Sequence, residues 1–460
     1  MRSEVIKVLH RLCGRPMLEY PLRLLAPLGV TRTALVLGYQ ADKVEAQLRE
    51  REVAVPDLRI ALQEQPRGTA DAVRAALPQL PEAAPGERVL ILYGDTPLLL
   101  LPRLQELLRA AAGRKLAMLA TTLADPRGYG RLERSASGQP LRIVEDRDCD
   151  AAQRQIREIN AGIYVVDGAF LRSALQQVAA HNAQREFYLT DLLALATAAG
   201  DEVMVVQAPP EEVLGVNDRV DLATAESLLR RRINEAHLRA GVTLRDPAST
   251  YIDDEVAIGR DTELGPGVCL RGRCTIGARC VIDAGSVLSG VTVADDTHIK
   301  PYTVATDAVV GDKVALGPFS HLRPGSVLLS GAHVGNFVEL KQTRLGKGSK
   351  ANHLSYLGDA EIGAGVNIGC GTITCNYDGV SKHKTVIEDD VFVGSDTQLV
   401  APVRVGKGSI IASGTTVVKD IPAQSLTLSR APQVDKPGYA PILRERLQAR
   451  KKPASPTPQK

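Results

Sequence analysis

The stretch that decides the fold of the C-terminal half is residues 310–340, VGDKVALGPFSHLRPGSVLLSGAHVGNFVEL. An aliphatic residue occupies every sixth position of it, and the same period recurs in two further stretches. The positions are Ile258, Leu264, Leu270, Ile276, Ile282 and Leu288; Val310, Leu316, Leu322, Leu328, Val334 and Leu340; and Ile387, Val393, Leu399, Val405, Ile411 and Val417. A period of six fits neither an α-helix nor an ordinary strand, and three runs in fixed phase argue against unrelated core strands. The period is typical of a hexapeptide parallel β-helix, in which the aliphatic side chains stack into one inner column.

Length and charge restrict the class of protein. The chain has 460 residues, more than one hydrophobic core supports, so two or three domains are expected. The formal net charge is +3 and the basic residues are scattered, which favours neither nucleic acid nor an acidic membrane surface as a partner. No apolar run approaches the roughly 20 residues that span a bilayer, and no secretion signal is evident. The sequence therefore predicts a cytoplasmic protein without membrane insertion.

The cysteine and aromatic content excludes other classes. Seven cysteines include no Cys-x-x-Cys pair, which disfavours both a disulfide framework and a zinc site. Tryptophan is absent and aromatic residues make up 3% of the chain, so base-stacking platforms are not expected.

The first half alternates apolar runs with helical stretches. The runs at 33–39, 58–63 and 89–93 surround a helical stretch at 41–51, which predicts βαβ units and a mostly parallel sheet. Ligands gather beyond the carboxyl ends of such strands. Asp95 follows the third run directly, where a carboxylate can hold a divalent cation or cap the next helix. Its position alone is consistent with both roles.

The order of domains and four segments of the coil carry a resemblance. The segments are HVGNFVELK at 333–341, LGKGSK at 345–350, HLSYLGD at 353–359 and GTITCNYDG at 371–379. Together they resemble the bacterial bifunctional N-acetylglucosamine-1-phosphate uridylyltransferase / glucosamine-1-phosphate N-acetyltransferase family. The resemblance runs from Met1 to about Arg430.

The resemblance implies a fold that is α/β plus all-β. A Rossmann-like nucleotidyltransferase (pyrophosphorylase) domain is expected at 1–216 and a helical linker at 217–245, where Asp218 is a plausible N-cap and Gly241 a stop. A left-handed β-helix with N-acetyltransferase activity is expected at 246–430. The residues after 430 are rich in Pro, Lys and Ser, which predicts a disordered tail at 431–460. The family's coils assemble as trimers, so a homotrimer is implied.

Acetyl transfer from acetyl-CoA to an amine requires the amine to lose a proton, so a base is needed. His353 occupies the position of the family's catalytic base, and imidazole titrates near neutral pH. The resemblance assigns glucosamine 1-phosphate to four residues, of which the two cations match the phosphate-binding positions: Arg323, Lys341, Tyr356 and Asn367. It assigns acetyl-CoA to Cys370, Asn376, Tyr377, Ser395, Ser413 and Arg430. Cys370 and Ser413 are departures, because the family commonly has alanine there.

The front half carries a second set of matching residues. The resemblance places these around the uracil, sugar and phosphates of UTP and UDP-N-acetylglucosamine: Lys7, Gln63, Gly68, Thr69, Tyr93, Gly94, Asp95, Gly130, Glu145, Asn160 and Asn217. In the family one Mg²⁺ is held by the equivalents of Asp95 and Asn217. The metal offsets phosphate charge while the sugar phosphate attacks UTP, and positioning dominates over acid–base chemistry.

The N-terminus departs from the family. Relatives open with an apolar strand that leads into a glycine-rich nucleotide loop, LAAGxGTRM, whereas this chain starts at what looks like the final Met of that motif. A first strand is usually central in a parallel sheet, so its loss is expected to leave an open seam. The two explanations are a start codon placed too far downstream and a truncation that leaves only acetyl transfer. A smaller departure is Gly-Thr-Ala-Asp at 68–71, where relatives have Gly-Thr-Gly-His.

Three functions follow from these observations. The first is bifunctional synthesis of UDP-N-acetylglucosamine, with acetyl transfer preceding uridylyl transfer, in the supply of precursors for peptidoglycan and cell wall. The second is an acetyltransferase with a catalytically silent front domain. The third is a non-catalytic nucleotide-sugar-binding or assembly subunit on the same scaffold.

Overall fold

The structure is a computed structural model, and it describes residues 1–80, 86–430 and 432–450. The chain divides into two compact units, one at 1–291 and the other from residue 292 onward. This division lies within the coil and differs from the domain boundaries predicted from the sequence pattern, which remain predictions.

The front part of the first unit contains seven α-helices within the described residues. These are α1 (Glu19–Arg23), α2 (Ala41–Glu50), α3 (Thr69–Ala76), α4 (Leu101–Ala110), α5 (Gly168–Gln177), α6 (Asp191–Ala198) and α7 (Arg219–Arg239). Its strands are β1 (Arg11–Leu12), β2 (Arg15–Pro16), β3 (Thr33–Leu37), β4 (Leu58–Leu62), β5 (Arg88–Ile91), β6 (Leu116–Thr122), β7 (Arg131–Arg134), β8 (Pro140–Val144), β9 (Glu158–Asp167) and β10 (Met204–Gln207). Short 3₁₀ turns lie at Lys7–Leu9, Leu77–Gln79, Asp146–Asp148, Gln153–Gln155 and Pro210–Glu212.

The main sheet of this part has six strands and is mixed. Its order is β10-β6-β9-β7-β8, with β5 also paired to β9. β10 runs parallel to β6, but β9 runs antiparallel to β5, β6 and β7. The prediction of a mostly parallel sheet is therefore wrong for this sheet. The physical reason is that the ten-residue β9 inserts between β5 and β6, and the alternation of strands and helices in a sequence does not reveal strand direction.

β3 and β4 form a separate parallel pair. Residues of β3 and β5 line a cavity of about 750 Å³.

α7 confirms the predicted helix. The Asp218 carboxylate accepts hydrogen bonds from Val220 N and Asp221 N, and the Asp221 side chain bonds back to the N-cap backbone, forming a capping box. The helix ends before Gly241, whose φ of 93° favours glycine.

Short parallel strands complete the first unit. They are β11 (Thr243–Leu244), β12 (Tyr251–Ile252), β13 (Ala257–Ile258), β14 (Glu263–Leu264), β15 (Cys269–Arg271), β16 (Thr275–Ile276), β17 (Val281–Ile282) and β18 (Val287–Ser289). β11, β14 and β17 form one ladder, β12, β15 and β18 a second, and β13 and β16 a third. Of the six predicted aliphatic positions in this unit, only Ile258 is half-buried, and the other five are buried.

The second unit continues the three-strand repeat. Its strands are β19 (Thr292–Val293), β20 (His298–Ile299), β21 (Val304–Thr306), β22 (Val309–Val310), β23 (Ala315–Leu316), β24 (His321–Leu322), β25 (Val327–Leu328), β26 (His333–Asn336), β27 (Glu339–Lys341), β28 (Arg344–Leu345), β29 (Lys350–His353), β30 (Tyr356–Gly358), β31 (Ala360–Ile362), β32 (Asn367–Ile368), β33 (Ile373–Cys375), β34 (Thr385–Ile387), β35 (Phe392–Val393), β36 (Gln398–Val400), β37 (Val403–Val405), β38 (Ile410–Ile411), β39 (Thr416–Val417) and β40 (Leu426–Thr427). All twelve predicted aliphatic positions of this unit are buried, which confirms the inner column.

The predicted tail differs in part from the expectation of disorder. Tyr439–Ala449 forms α8, and all of its side chains lie exposed. The segment ILRERLQA within it consists mostly of good helix formers, a local preference that the Pro- and Lys-rich surroundings conceal. Residues 431 and 451–460 lie outside the described residues.

No helix in the described part of the chain is long and apolar enough to cross a membrane.

Candidate active sites

In the front domain, the residues expected around UTP form a connected set. Tyr93 is half-buried and its hydroxyl hydrogen-bonds to the Thr69 side chain, and desolvation raises the pKa of the phenol. Gly162 lies against the ring, since a Cβ there would be 2.3 Å from Tyr93 Cε2. Gly162 N donates to Asn160 Oδ1 at 3.0 Å, and Asn160 N donates to Gly130 O at 2.9 Å. β5, α3 and β9 thus bring predicted site residues from distant parts of the sequence to one place.

Glu145 lies beside Gly130 in the same region. A Cβ on Gly130 would be 2.7 Å from Ile143 Cγ2 and 3.4 Å from both Glu145 carboxylate oxygens, so the glycine is needed for its packing against Ile143. Thr190 Oγ1 donates to Glu145 Oε1 at 3.1 Å. Burial raises the pKa of Glu145, and the hydrogen bond from Thr190 partly opposes that effect. A half-buried carboxylate of this kind is suited to accept hydrogen bonds from sugar hydroxyls.

Glu145→Gln is expected to stabilise the front domain at neutral pH, because the wild-type carboxylate is charged there in a partly desolvated site. The pKa of Glu145 is higher in the folded state than in the unfolded state. The contribution of Glu145 to the free energy of unfolding of the wild type is therefore largest at low pH, and it is lost as the pH rises through the folded-state pKa. Glutamine does not titrate, so the advantage of the variant should grow between pH 5 and pH 8 in thermal unfolding. An advantage of equal size at both pH values would contradict this account.

The two predicted magnesium ligands meet at a common cation. Lys7 Nζ donates to Asp95 Oδ2 at 2.7 Å and to Asn217 Oδ1 at 2.9 Å. Val216 N donates to Asp95 O at 2.9 Å, which holds the loop after β5 against the start of the helical linker. The two side-chain oxygens therefore converge on one positive group, and carboxylate and amide oxygens are ligands that Mg²⁺ accepts. The residues present fit the predicted metal.

The Gly68–Asp71 turn holds the side-chain amide of Gln63 in position. Gly68 has a φ of 112°, and a Cβ there would be 2.5 Å from the Phe187 carbonyl oxygen, so this position requires glycine. Gln63 Nε2 donates to Gly68 O at 3.2 Å and to Asp71 Oδ2 at 3.0 Å. Asp71, where relatives have histidine, thus orients Gln63. Gln63 and Gly94 both line the 750 Å³ cavity.

In the second unit, one corner of the coil carries a column of candidate residues. Each lies two positions after the inner aliphatic residue of its strand, on successive coils: Asn336, His353, Cys370, Ser395 and Ser413. Backbone bonds join the coils at this corner, including Leu354 N to Asn336 O at 3.1 Å and Asp396 N to Cys370 O at 2.7 Å. Coils stack about 4.8 Å apart, so His353 and three predicted acetyl-CoA residues form one elongated surface. We refer to this set of five residues as the corner column.

Glycine permits the close stacking of this column. A Cβ on Gly369 would lie 2.5 Å from Ser395 N, and one on Gly394 would lie 2.5 Å from Ser413 N. The backbone bond of Cys370 does not depend on its side chain, so this departure from alanine leaves the bond intact.

His353 is oriented by Asn336, a residue that the sequence analysis missed. The two residues are register partners on β29 and β26, and His353 Nδ1 lies 3.0 Å from Asn336 Oδ1. An acceptor oxygen at this distance selects the Nδ1–H tautomer, which leaves the Nε2 lone pair free to accept a proton. The separation of 17 residues, one coil length, is the signal in the sequence that identifies Asn336.

Asn336→Ala is expected to lower kcat for acetyl transfer about tenfold, the equivalent of one lost hydrogen bond, with little change in KM. Asn336→Asp keeps an acceptor oxygen beside Nδ1 and should restore most of the rate. Steady-state assays of CoA release measure both variants. Equal rates for the alanine variant and the wild type would remove the orienting role from Asn336.

The predicted phosphate-binding cations lie beside carboxylates. Arg323 Nη1 bonds to Glu339 Oε1 at 2.9 Å, and Lys341 Nζ lies 3.7 Å from Asp359 Oδ2. Asp359 also accepts a hydrogen bond from Asn376 Nδ2.

The side chains of Tyr356 and Asn376 both lie against Gly358. A Cβ on Gly358 would be 2.5 Å from the Tyr356 hydroxyl and 2.7 Å from Asn376 Nδ2. The structure thus brings Lys341, Tyr356 and Asn376 together.

Lys382 is a second residue that the sequence analysis missed. It lies in the loop between β33 and β34, and the neighbouring Lys341 ammonium lowers the pKa of Lys382. Two neighbouring ammonium groups are suited to bind a doubly charged anion. The signal in the sequence was the basic cluster Lys382-His383-Lys384, directly after the Asn376–Tyr377 motif.

The remaining predicted residues of the acetyl-transfer site lie further from this group. Asn367 pairs in register with Lys350 on the same ladder as His353. Tyr377 is exposed and its hydroxyl donates to Gly379 O at 2.5 Å. Arg430 lies beyond β40 and is exposed.

Comparisons with known proteins find a matching family for each half of the chain. A nucleotidyl transferase family model matches residues 3–211, and a bacterial transferase hexapeptide model of six repeats matches residues 255–290 and 384–419. The chain is similar to curated proteins described as "Bifunctional protein GlmU". That of Trichlorobacter lovleyi is 49% identical over 443 residues, and that of Pelobacter propionicus is 48% identical over 442 residues. Each alignment covers 95% of this chain and 95% of the relative.

Among solved structures, HddC from Yersinia pseudotuberculosis aligns with 50% of this chain and 92% of its own length, at a TM-score of 0.37 and 17% identity. The curated relatives and the family models confirm the predicted family, fold class and enzyme class. The chain belongs to the GlmU family of bifunctional enzymes, which combine acetyl transfer and uridylyl transfer in the synthesis of UDP-N-acetylglucosamine.

Proposed function

We propose that the second unit transfers the acetyl group of acetyl-CoA to glucosamine 1-phosphate with His353 as the general base. The observation that supports this role is the corner column, in which Asn336 leaves His353 Nε2 free while Cys370, Ser395 and Ser413 continue the same surface. In the proposed reaction Nε2 takes a proton from the amine, the nitrogen attacks the thioester carbonyl, and CoA departs as the thiolate. The column is elongated, as a CoA molecule is.

The proposed sugar-phosphate site lies around the next strand of the same coil. Lys341, Lys382 and Arg323 supply three positive charges, and Glu339 and Asp359 keep two of those cations in place. Charge-assisted bonds to a phosphate are about twice as strong as neutral ones. Tyr356 and Asn367 are assigned to orient the sugar, and Asn376, Tyr377 and Arg430 to contact acetyl-CoA.

For the front domain we assign uridylyl transfer from UTP to N-acetylglucosamine 1-phosphate. Tyr93, Glu145, Asn160 and Gly130 would hold the sugar, and Gln63, Gly68, Thr69 and Gly94 the base. Asp95 and Asn217 would hold Mg²⁺, which supplies charge neutralisation at phosphate oxygens when it is bound. Lys7, which now bridges these two oxygens, is then available to bond a phosphate oxygen.

A homotrimer is part of this proposal, and an exposed ladder of side chains supports it. Tyr302 and Phe319 stack at 5.3 Å, and Phe319 and Phe337 at 5.6 Å, with Leu354 at the equivalent corner of the next coil. All four side chains are about half exposed, and all four have positive φ, a conformation unfavourable for such residues. Burial against another copy would offset that cost. Sedimentation equilibrium should give the mass of three chains.

The proposed location is the cytoplasm. All seven cysteines are free thiols, and this usage is typical of a reducing compartment.

Two assays on the same protein test the two activities. Release of CoA with glucosamine 1-phosphate measures the first, and release of pyrophosphate from UTP with N-acetylglucosamine 1-phosphate and magnesium measures the second. Both products are expected. CoA release alone would favour the acetyltransferase with a silent front domain, and neither product would favour the non-catalytic subunit.

A further inference from the structure

The loop between β33 and β34, residues 376–384, carries side chains assigned to both substrates of acetyl transfer. Tyr377 on its outgoing arm is assigned to acetyl-CoA, and Lys382 on its returning arm lies beside Lys341. Tyr377 and Lys382 pair as an antiparallel bridge, so we refer to residues 376–384 as the hairpin loop. Val380 at its tip is 89% exposed. Because the tip does not pack on the coil, the shape of the hairpin loop depends mainly on hydrogen bonds within it.

Asp378 is at the centre of those hydrogen bonds. Its Oδ1 accepts from Ser381 N at 2.7 Å and from Val380 N at 2.8 Å, and its Oδ2 lies 2.6 Å from His383 Nε2. The bonds from Ser381 N, His383 and Val380 N lower the pKa of Asp378, so its carboxylate is charged at neutral pH. A charged carboxylate can only accept, so His383 Nε2 carries a proton and donates it. Asp378 therefore connects the tip of the hairpin loop to its returning arm.

His383 is the neighbour of Lys382 on the returning arm. Its backbone N donates to Asn376 O at 2.8 Å, which holds this arm against the outgoing arm. Side chains of consecutive residues in a paired arm point to opposite faces. The ring of His383 turns towards Asp378, so the ammonium of Lys382 is directed to the other face, where Lys341 lies. A fixed ring at position 383 therefore fixes the direction of Lys382.

Electrostatic repulsion opposes the placement of Lys382. Contact with the Lys341 ammonium lowers the pKa of Lys382, as a like charge at close range does. Before an anion binds, this repulsion favours conformations of the hairpin loop in which Lys382 lies further from Lys341. A hydrogen bond to a charged carboxylate is stronger than one between neutral groups. The bond between His383 and Asp378 is therefore suited to offset the repulsion.

Both ends of the hairpin loop are held by other contacts. Asn376 is buried, and its side-chain amide donates to Asp359. Lys384 pairs with Glu361. Loss of a bond inside the hairpin loop should therefore free the returning arm and Lys382 but leave both ends in place.

We propose that Asp378 and His383 are positioning residues for acetyl transfer, because their hydrogen bond holds the Lys382 ammonium beside Lys341 before the phosphate of the acceptor sugar arrives. Neither residue contacts the substrate in this role. Holding the two cations in their bound arrangement removes part of the cost of binding a doubly charged phosphate, which is the general effect of preorganisation. The inference rests on the proposed acetyl transfer to glucosamine 1-phosphate, and it adds the residues that set the affinity for the phosphate.

Steady-state kinetics of CoA release test the proposal on the full chain. His383→Ala is expected to raise KM for glucosamine 1-phosphate about fivefold, because the arrangement that binds phosphate is then populated only part of the time. Asp378→Ala should raise this KM at least about tenfold, since two bonds to backbone N–H groups are lost as well. In His383→Ala, kcat and KM for acetyl-CoA should stay within about twofold of the wild type, because His353 and Asn376 are held by other residues.

A double variant shows whether His383 acts through Lys382. Lys382→Ala alone should raise KM for glucosamine 1-phosphate, and adding His383→Ala should raise it by no more than about twofold again. His383→Gln keeps an N–H group that can reach Asp378, and it should restore most of the wild-type KM. Lys384→Ala is the matched control for loss of a positive charge in the same segment, and it should leave KM within about twofold of the wild type.

With an active wild type, each of several results would overturn the proposal. An unchanged KM in both His383→Ala and Asp378→Ala, or a fall in kcat without a rise in KM, would exclude a role in phosphate affinity. Additive effects in the double variant would show that His383 acts independently of Lys382. A KM in His383→Gln as high as in His383→Ala, or an equal rise in Lys384→Ala, would exclude the hydrogen bond as the cause. A wild type that releases no CoA would overturn the proposed acetyl transfer and this inference with it, so the two failures are distinguishable.

Discussion

His353→Ala is expected to lower kcat/KM for acetyl transfer by about 10²-fold or more, the usual cost of removing a general base. The amine of glucosamine 1-phosphate is protonated near neutral pH and must lose a proton, and His353 Nε2 is the nitrogen left free by the bond to Asn336. His353 is exposed, so its truncation leaves the inner aliphatic column intact. A thiol reagent that detects CoA measures the rate directly.

The matched control is His333→Ala. His333 is also an exposed histidine of the coil, but it begins β26, whereas Asn336, the corner-column residue of that strand, ends it. Its replacement should leave the rate of CoA release within about twofold of the wild type. If His353→Ala also kept the wild-type rate, the general-base role would be excluded and the non-catalytic subunit would be the better description.

Asp95→Asn is expected to reduce pyrophosphate release from UTP by about 10²- to 10³-fold, the range for loss of one electrostatic group at a reacting phosphate. The carboxylate is the only charged one of the two proposed metal ligands, and the asparagine keeps the size of the side chain. The variant should also bind Mn²⁺ more weakly in an electron paramagnetic resonance titration, a measurement that does not depend on turnover. Acetyl transfer should not change.

Asp42→Asn provides the comparison, because Asp42 is an exposed carboxylate in the first turn of α2. It should alter neither Mn²⁺ binding nor pyrophosphate release. Wild-type Mn²⁺ affinity in Asp95→Asn would remove Asp95 from the proposed metal site. If the wild-type protein released pyrophosphate no faster than Asp95→Asn, that result would support the hypothesis of a silent front domain.

The sequence predicted the elements whose stability is local or periodic. The α7 helix was predicted from Asp218 and Gly241, because capping depends on residues only a few positions away. The front sheet was predicted as alternating strands and helices, but the direction of β9 was not. Strand direction depends on pairing between segments far apart in the sequence, such as that of Met118 with Tyr164 on β6 and β9.

The candidate sites likewise divide into residues that the sequence predicted and residues that only the structure revealed. Resemblance to a family supplied His353, Lys341 and the front-half residues, whereas Asn336 and Lys382 emerged only from their neighbours in space. The partners of these two residues are His353 and Lys341, and they lie 17 and 41 positions away in the chain. The sequence signals for them, a separation of one coil length and a basic cluster at 382–384, do not by themselves give the contact.

The six-residue period by itself determined that the second half is a β-helix, because each repeat can bury its aliphatic residue only by stacking on another repeat. Only the tertiary structure decided which side chains share the corner column. The steps along it are 17, 17, 25 and 18 residues, since the loop between β33 and β34 lengthens one coil. Backbone pairing between coils keeps these residues in line, and sequence spacing does not. Each coil must place its strands over those of the previous coil, whatever the length of the turns between the strands.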